Sequence, residues 1–118
     1  MKPTLALDFD GVLHQYTRYR GDAIIDGISV PGAVEFVQAA MENFDVVIHS
    51  TRARTQIGRA AIRVWLRDNG FPPVKISAEK PPAHVTLDDR ALCFTGTFPD
   101  PEDLLKFEPW WKQAGEQA

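Results

Sequence analysis

What most constrains this chain is the alternation of short apolar runs with helix-patterned segments. Thr4 to Phe9, Asp45 to His49, Val74 to Ile76 and Val85 to Leu87 are rich in aliphatic and β-branched residues, and each reads as a strand buried on both faces. A weaker fifth run covers Leu92 to Phe94. Between the first two, Pro31 to Asn43 carries Val34, Val37, Ala40 and Met41 at helical spacing, behind a proline suited to a first helical turn. Between the second and third, Thr55 to Asn69 puts Ile57, Ala61, Val64 and Trp65 on one face and stops at Gly70, ahead of Pro72 and Pro73. Strand, helix, strand, helix, strand is the order of an α/β sheet with mostly parallel strands and right-handed crossovers.

The 118 residues suit a single domain, 1–118, with one active centre. In open α/β sheets such a centre collects at the carboxyl ends of the strands. The unusual polar residues of this chain follow directly on its strands: Asp8 and Asp10 after the first, Ser50 and Thr51 after the second, Asp88 and Asp89 after the fourth. The stretch LALDFDGVL makes the physical problem plain, because an ionised carboxylate at the end of a buried strand needs a partner. Four carboxylates, one or two hydroxyls and Lys80 at one end of a sheet suit a hard, oxygen-ligated cation such as magnesium together with a phosphate group.

At this point the sequence resembles the haloacid dehalogenase-like phosphohydrolases. The resemblance covers most of the chain in the family's order: a hydrophobic strand with DxDG (LALDFDGVL), a strand ending in Ser or Thr (DVVIHSTR), a lysine (Lys80 in EKPPAH) and a strand ending in paired aspartates (VTLDDR). It implies a three-layer Rossmann-like sandwich and a magnesium-dependent phosphatase. Asp8 would attack phosphorus and become an aspartyl phosphate. Asp10 would protonate the leaving oxygen and then activate water. The hydroxyl of Ser50, with Thr51 able to exchange roles with it, and the ammonium of Lys80 would hold the transferring phosphoryl group. Magnesium would be held by Asp8, the backbone carbonyl of Asp10, and Asp88 or Asp89. The links from Leu13 to Pro31 and from Ile76 to Val85 are too short for a cap domain, so the expectation is a capless domain with residues 14–30 as a small flap. An open site admits an extended phosphate ester. The LDDR and STR segments resemble the deoxyribonucleotidase and polynucleotide-phosphatase branches, which points to a nucleotide or a single-stranded nucleic-acid end as substrate.

Several residues carry two readings. Ser50 also suits the N-cap of the following helix, Lys80 an ordinary surface position, and Asp89 a pairing with Arg90. Arg59, Arg63 and Arg67 form a stripe that reads as a solvated face, whereas Arg52, nearest the crevice, reads as a cationic lead-in for the anionic substrate, touching it. YTRYR, from Tyr16 to Arg20, interleaves aromatic and basic residues that stack on bases and meet phosphates, Tyr16 foremost; a hairpin packing its tyrosines on the domain is the alternative. His14, His49 and His84 lack metal-ligand spacing and read as structural. Trp110 and Trp111 read as an anchor for the C-terminal segment, or, if exposed, as an oligomer interface.

Composition narrows the rest. A formal net charge of −3 makes a poor generic binder of duplex nucleic acid. The single cysteine, Cys93, excludes an intrachain disulfide and reads as a small core residue. No apolar run reaches membrane length and Asp8 interrupts the N-terminal one, so a cytoplasmic location is inferred. A receiver-like signalling domain and a non-catalytic magnesium- or phosphate-binding module are the rival classes. A receiver places its phosphoacceptor in mid-chain, whereas DxDG stands first here. No GxxxxGK[ST] occurs, which removes a P-loop kinase.

Overall fold

In the computed structural model, which describes residues 2–16 and 18–112, the four apolar runs form one sheet. Its strands are β1 (Thr4–Asp8), β2 (Asp45–His49), β3 (Lys75–Ser77) and β4 (Val85–Leu87). All three pairings are parallel and the order is β3-β2-β1-β4. Leu5, Ala6 and Leu7 are consecutive and all buried, so both faces of β1 are covered. The register aligns Asp8 with His49 and His49 with Ser77, which brings the strand ends level.

Helix α1 (Ala33–Ala40) joins β1 to β2, and α2 (Gln56–Asp68) joins β2 to β3. Thr55 caps α2, its hydroxyl accepting from the Gly58 amide at 3.0 Å. Gly70, at φ +82°, adopts the left-handed conformation that ends this helix. Ala33, Val37 and Ala40 of α1 and Ile62, Trp65 and Leu66 of α2 join Leu5, Leu7, Phe9, Val46 and Ile48 in one apolar cluster. By strand alternation these strand residues share one sheet face, so both helices pack on that face. A short helix α3 (Pro101–Leu104), capped by Asp100, lies beyond β4.

Several expectations need correction. The buried face of α2 is Gly58, Ile62, Trp65 and Leu66, while Ile57 is 70% exposed and Val64 is also exposed. The sequence holds two overlapping apolar stripes, and packing against Phe9 and Phe71 selects the one that carries Trp65 inward. Strands β3 and β4 lie at the sheet edges and are only partly buried, since an edge strand lacks a neighbour on one side. Leu92 to Phe94 forms no strand, and Cys93 within it is exposed rather than in the core. Among the described residues no helix is long and apolar enough to cross a membrane.

The link after β1 forms a small flap base rather than a second domain. Gln15 donates to the Ile28 carbonyl at 2.9 Å and Val30 to that of Leu13 at 2.8 Å, an antiparallel pairing that closes the 14–30 segment. Thr17, within that segment and within YTRYR, and Met1 and 113–118 of the expected domain, lie outside the described residues.

Candidate active site at the carboxyl end of the sheet

Asp8 ends β1, and the chain turns away from the sheet immediately after it. Phe9 buries its ring in the core, and its carbonyl accepts from the amides of Leu13 and His14, each at 3.0 Å. Gly11 allows this turn on two counts. Its φ of +85° favours glycine, and a Cβ there would stand 2.2 Å from Asp89 Oδ2 and 2.9 Å from Trp111 Nε1. The Asp-Gly step is therefore packed directly against the loop that follows β4.

That packing brings three expected residues together. Asp8, Asp88 and Asp89 offer ligand oxygens that all lie within 4.8 Å of one another. Burial, a hydrogen bond shared with Asp89 and the charges of Asp88 and Asp89 push the Asp8 carboxyl up from 3.8 to about 8, against a 3.0 Å bond from the Phe9 amide. Like charges this close favour a shared proton or a cation. A hard divalent cation fits the donor set, because carboxylate oxygens from the end of β1 and from the loop after β4 face one another.

Asp8 also fixes the direction of a pH effect. Its folded pKa lies above the unfolded value, so the folded state holds the proton more tightly, and the stabilisation it supplies below about pH 4 is lost as pH rises through about 8. In a chelating buffer, the melting temperature contributed by this group should fall across that window, and added magnesium should restore it at the alkaline end. Calorimetric melts with EDTA and with magnesium check this; parallel curves at all pH values would contradict it.

Asp10 occupies a different environment. Arg52 grips it through Nε at 2.8 Å from Oδ2 and Nη2 at 3.2 Å from Oδ1. His14 Nε2 accepts from the Gly27 amide at 2.9 Å, so Nδ1 carries the proton that is donated to Asp10 Oδ1 at 2.8 Å. Burial raises the Asp10 pKa, but the hydrogen bonds from His14 and Arg52 and the charge of Arg52 outweigh it and hold the carboxyl below its usual range. Asp10 is thus an anion here, and its carboxylate stands outside the Asp8, Asp88 and Asp89 group.

Arg52 is not where a substrate contact would be expected. Its residue is 1% exposed, and Nη1 donates to the carbonyls of Gly21, Asp22 and Ile24 at 2.7, 3.0 and 3.1 Å. The guanidinium ties the flap to Asp10, and the ring of Tyr19 lies 5.6 Å from Cζ. Trp65 reinforces the same loop through Nε1 to the Gly27 carbonyl at 2.9 Å.

An open cleft of about 550 Å³ holds the remaining groups. Asp8, Asp10, Tyr16, Ser50, Thr51, Lys80 and Asp89 line it, joined by Tyr19, His49, Arg54, Glu79 and Arg90. Ser50 is buried and accepts from the Arg52 amide at 3.2 Å, so capping occupies one of its two lone pairs and leaves its proton to donate. Lys80 is exposed, and among the described residues no carboxylate pairs with it. Burial holds the His49 imidazole below its ordinary pKa, and its Nε2 lacks a partner among the described residues.

The sequence reading missed His14, Trp110 and Trp111 at this site. For His14 a signal existed, its i, i+4 spacing from Asp10. For the tryptophans there was none: Trp110 Nε1 donates to the Gly11 carbonyl at 2.7 Å and Trp111 Nε1 to Asp89 Oδ2 at 2.6 Å, contacts that span 99 and 22 residues. No family model, curated protein or solved structure matches the chain.

Proposed function

We propose that this chain is a phosphohydrolase that uses magnesium and cleaves a phosphomonoester through an aspartyl phosphate on Asp8. The observation that supports this reading is the grouping of Asp8, Asp88 and Asp89 beside an open cleft that Asp8, Asp89, Ser50 and Lys80 line. The parallel sheet is read as a reduced three-layer Rossmann-like sandwich, supported by the complete burial of Ala6 on the face opposite the helices.

When bound, magnesium would neutralise the carboxylates and polarise a phosphate oxygen, with Asp8 and Asp88 or Asp89 as its holders. Asp8 then forms a bond to phosphorus as the bond to the leaving oxygen breaks. Lys80 and the Ser50 hydroxyl stabilise charge on the phosphoryl oxygens. In the second half Asp10 takes a proton from the water that attacks the acyl phosphate, releasing phosphate and restoring Asp8. Its lowered pKa suits this basic role. For the acidic role it must first collect a proton, so a good leaving group such as p-nitrophenolate should be released most readily.

Tyr16, Tyr19, Arg54 and Arg90 around the cleft support an extended, aromatic and anionic leaving group, a nucleotide or the end of a nucleic-acid strand. A cytoplasmic enzyme is the matching setting. A phosphatase assay on p-nitrophenyl phosphate, a nucleotide panel and end-phosphorylated oligonucleotides tests the reading. Phosphate release with magnesium and none with EDTA is the expected result. One observation favours a second reading: Asp10 is held from two sides, which would slow hydrolysis as in a receiver-like module. A phosphoprotein that persists after reaction with a small acyl phosphate, with no turnover, would select that reading.

A further inference from the structure

The segment after α3 reaches back to the strand ends, and nothing in the phosphatase reading uses it. Pro109 is buried, and the single turn that follows places two adjacent indoles on two different loops. Trp110 bonds to the Gly11 carbonyl, in the turn after β1, and Trp111 bonds to Asp89, in the loop after β4. Arg90 Cζ lies 5.4 Å from the Trp111 ring, and the Tyr16 ring meets that indole edge-on at 5.2 Å. Two loops and the flap therefore converge on residues 110–111.

The chemistry of the Trp111 bond is specific. An indole N–H only donates and does not titrate, so it always occupies one oxygen of Asp89 and always orients the other. The same carboxylate offers an oxygen to the group formed with Asp8 and Asp88. Gly11 carries no Cβ where that atom would collide with both Asp89 and Trp111, so the turn after β1 is shaped around this pair. Groups that orient a metal-ligating carboxylate in this way commonly change metal affinity by about 10–100-fold when removed.

We propose that Trp111 is a positioning residue for the cation site, and that the C-terminal tryptophan turn completes that site by fixing Asp89 against the loop after β1. This inference rests on the cation centre of the proposed phosphohydrolase. The Trp111 ring also packs against Tyr16 and Arg90, two residues that line the cleft, so the residue that orients Asp89 also supports the substrate-facing wall.

Manganese binding to the full chain, measured calorimetrically without substrate, tests it. Trp111→Phe should bind manganese about 10–100-fold more weakly than the unchanged chain. In an Asp89→Asn background the same substitution should cost nothing further, because the metal-ligating carboxylate that Trp111 orients is already gone. A readout on the unchanged chain covers the case in which Trp111→Phe does not fold: the Trp111 indole N–H resonance should shift on saturation with magnesium, with that of Trp65 unmoved. Equal manganese affinity in Trp111→Phe, an undiminished loss in the Asp89→Asn background, or an unmoved Trp111 resonance in magnesium-saturated protein would each overturn the inference while leaving the phosphohydrolase reading intact. Failure of the unchanged chain to bind either cation would overturn both.

Discussion

If the chain is the proposed phosphohydrolase, replacing Asp8 by asparagine should lower phosphomonoester turnover by roughly 10⁴–10⁶-fold, the range that follows removal of one member of a catalytic unit. The amide keeps the shape of the carboxylate and its oxygen can still accept from the Phe9 amide, so the loss reports chemistry rather than packing. An amide oxygen is a poor nucleophile toward phosphorus, and no other carboxylate ends β1. The same variant carries a second, opposite signature. Asp8 is held against burial and against Asp88 and Asp89, so a neutral amide should make the chelated protein more stable at alkaline pH. Single-turnover phosphate release and melting curves in EDTA measure the two effects. Turnover within tenfold of the unchanged chain would remove Asp8 as nucleophile, and a lower melting temperature in EDTA would contradict the crowding of like charges.

Arg52→Ala should have the largest effect on the fold itself. It strips Asp10 of a bidentate partner and leaves the carbonyls of Gly21, Asp22 and Ile24 without their shared donor. Breaking a buried pair of this kind costs about 3–5 kcal/mol. In a domain of this size that lowers the melting temperature by roughly 10–20 °C. Turnover should fall by about 10²-fold or more at temperatures where the variant remains folded, because Asp10 would lose the geometry that its proposed acid–base role needs. Arg52→Lys retains charge but lacks the planar fork, so it should recover only part of either loss. A surface arginine that steers substrate would behave differently: its removal would raise KM alone, and would flatten the salt dependence of substrate affinity. An Arg52→Ala protein as stable as the unchanged chain, with only KM altered, would return the guanidinium to a substrate role.

The contrast between these two residues marks how far the sequence could be read. Asp8 was legible because its signal is local. A run of β-branched and aliphatic residues makes a strand, a carboxylate interrupts it where the strand ends, and a glycine three residues on supplies the turn. The same holds for Ser50 and for the paired Asp88 and Asp89, each of which directly follows a strand, and for Thr55, whose capping bond is made within its own helix turn. Parallel pairing then brings those strand ends level without further instruction.

Arg52 was misplaced by the same reasoning, since nearness to the crevice in sequence says nothing about which way a long side chain turns. Its guanidinium finds Asp10 across 42 residues and three flap carbonyls across about 30, and those partners exist as a cage only once the flap has folded back. The buried face of α2 was displaced for a related reason, because two apolar stripes compete along that helix and the surface facing it decides.

By itself, then, the sequence determined the four strands, their parallel order of connection and the polar residues at their carboxyl ends, because conformational preference and periodicity act over a few neighbouring residues. Tertiary structure alone decided that Asp10 is an anion clamped by His14 and Arg52, and that Trp111 holds Asp89 from the far end of the chain. Such pairings are set by which surfaces meet in the packed domain, and a donor gains a buried acceptor only after the chain between them has folded.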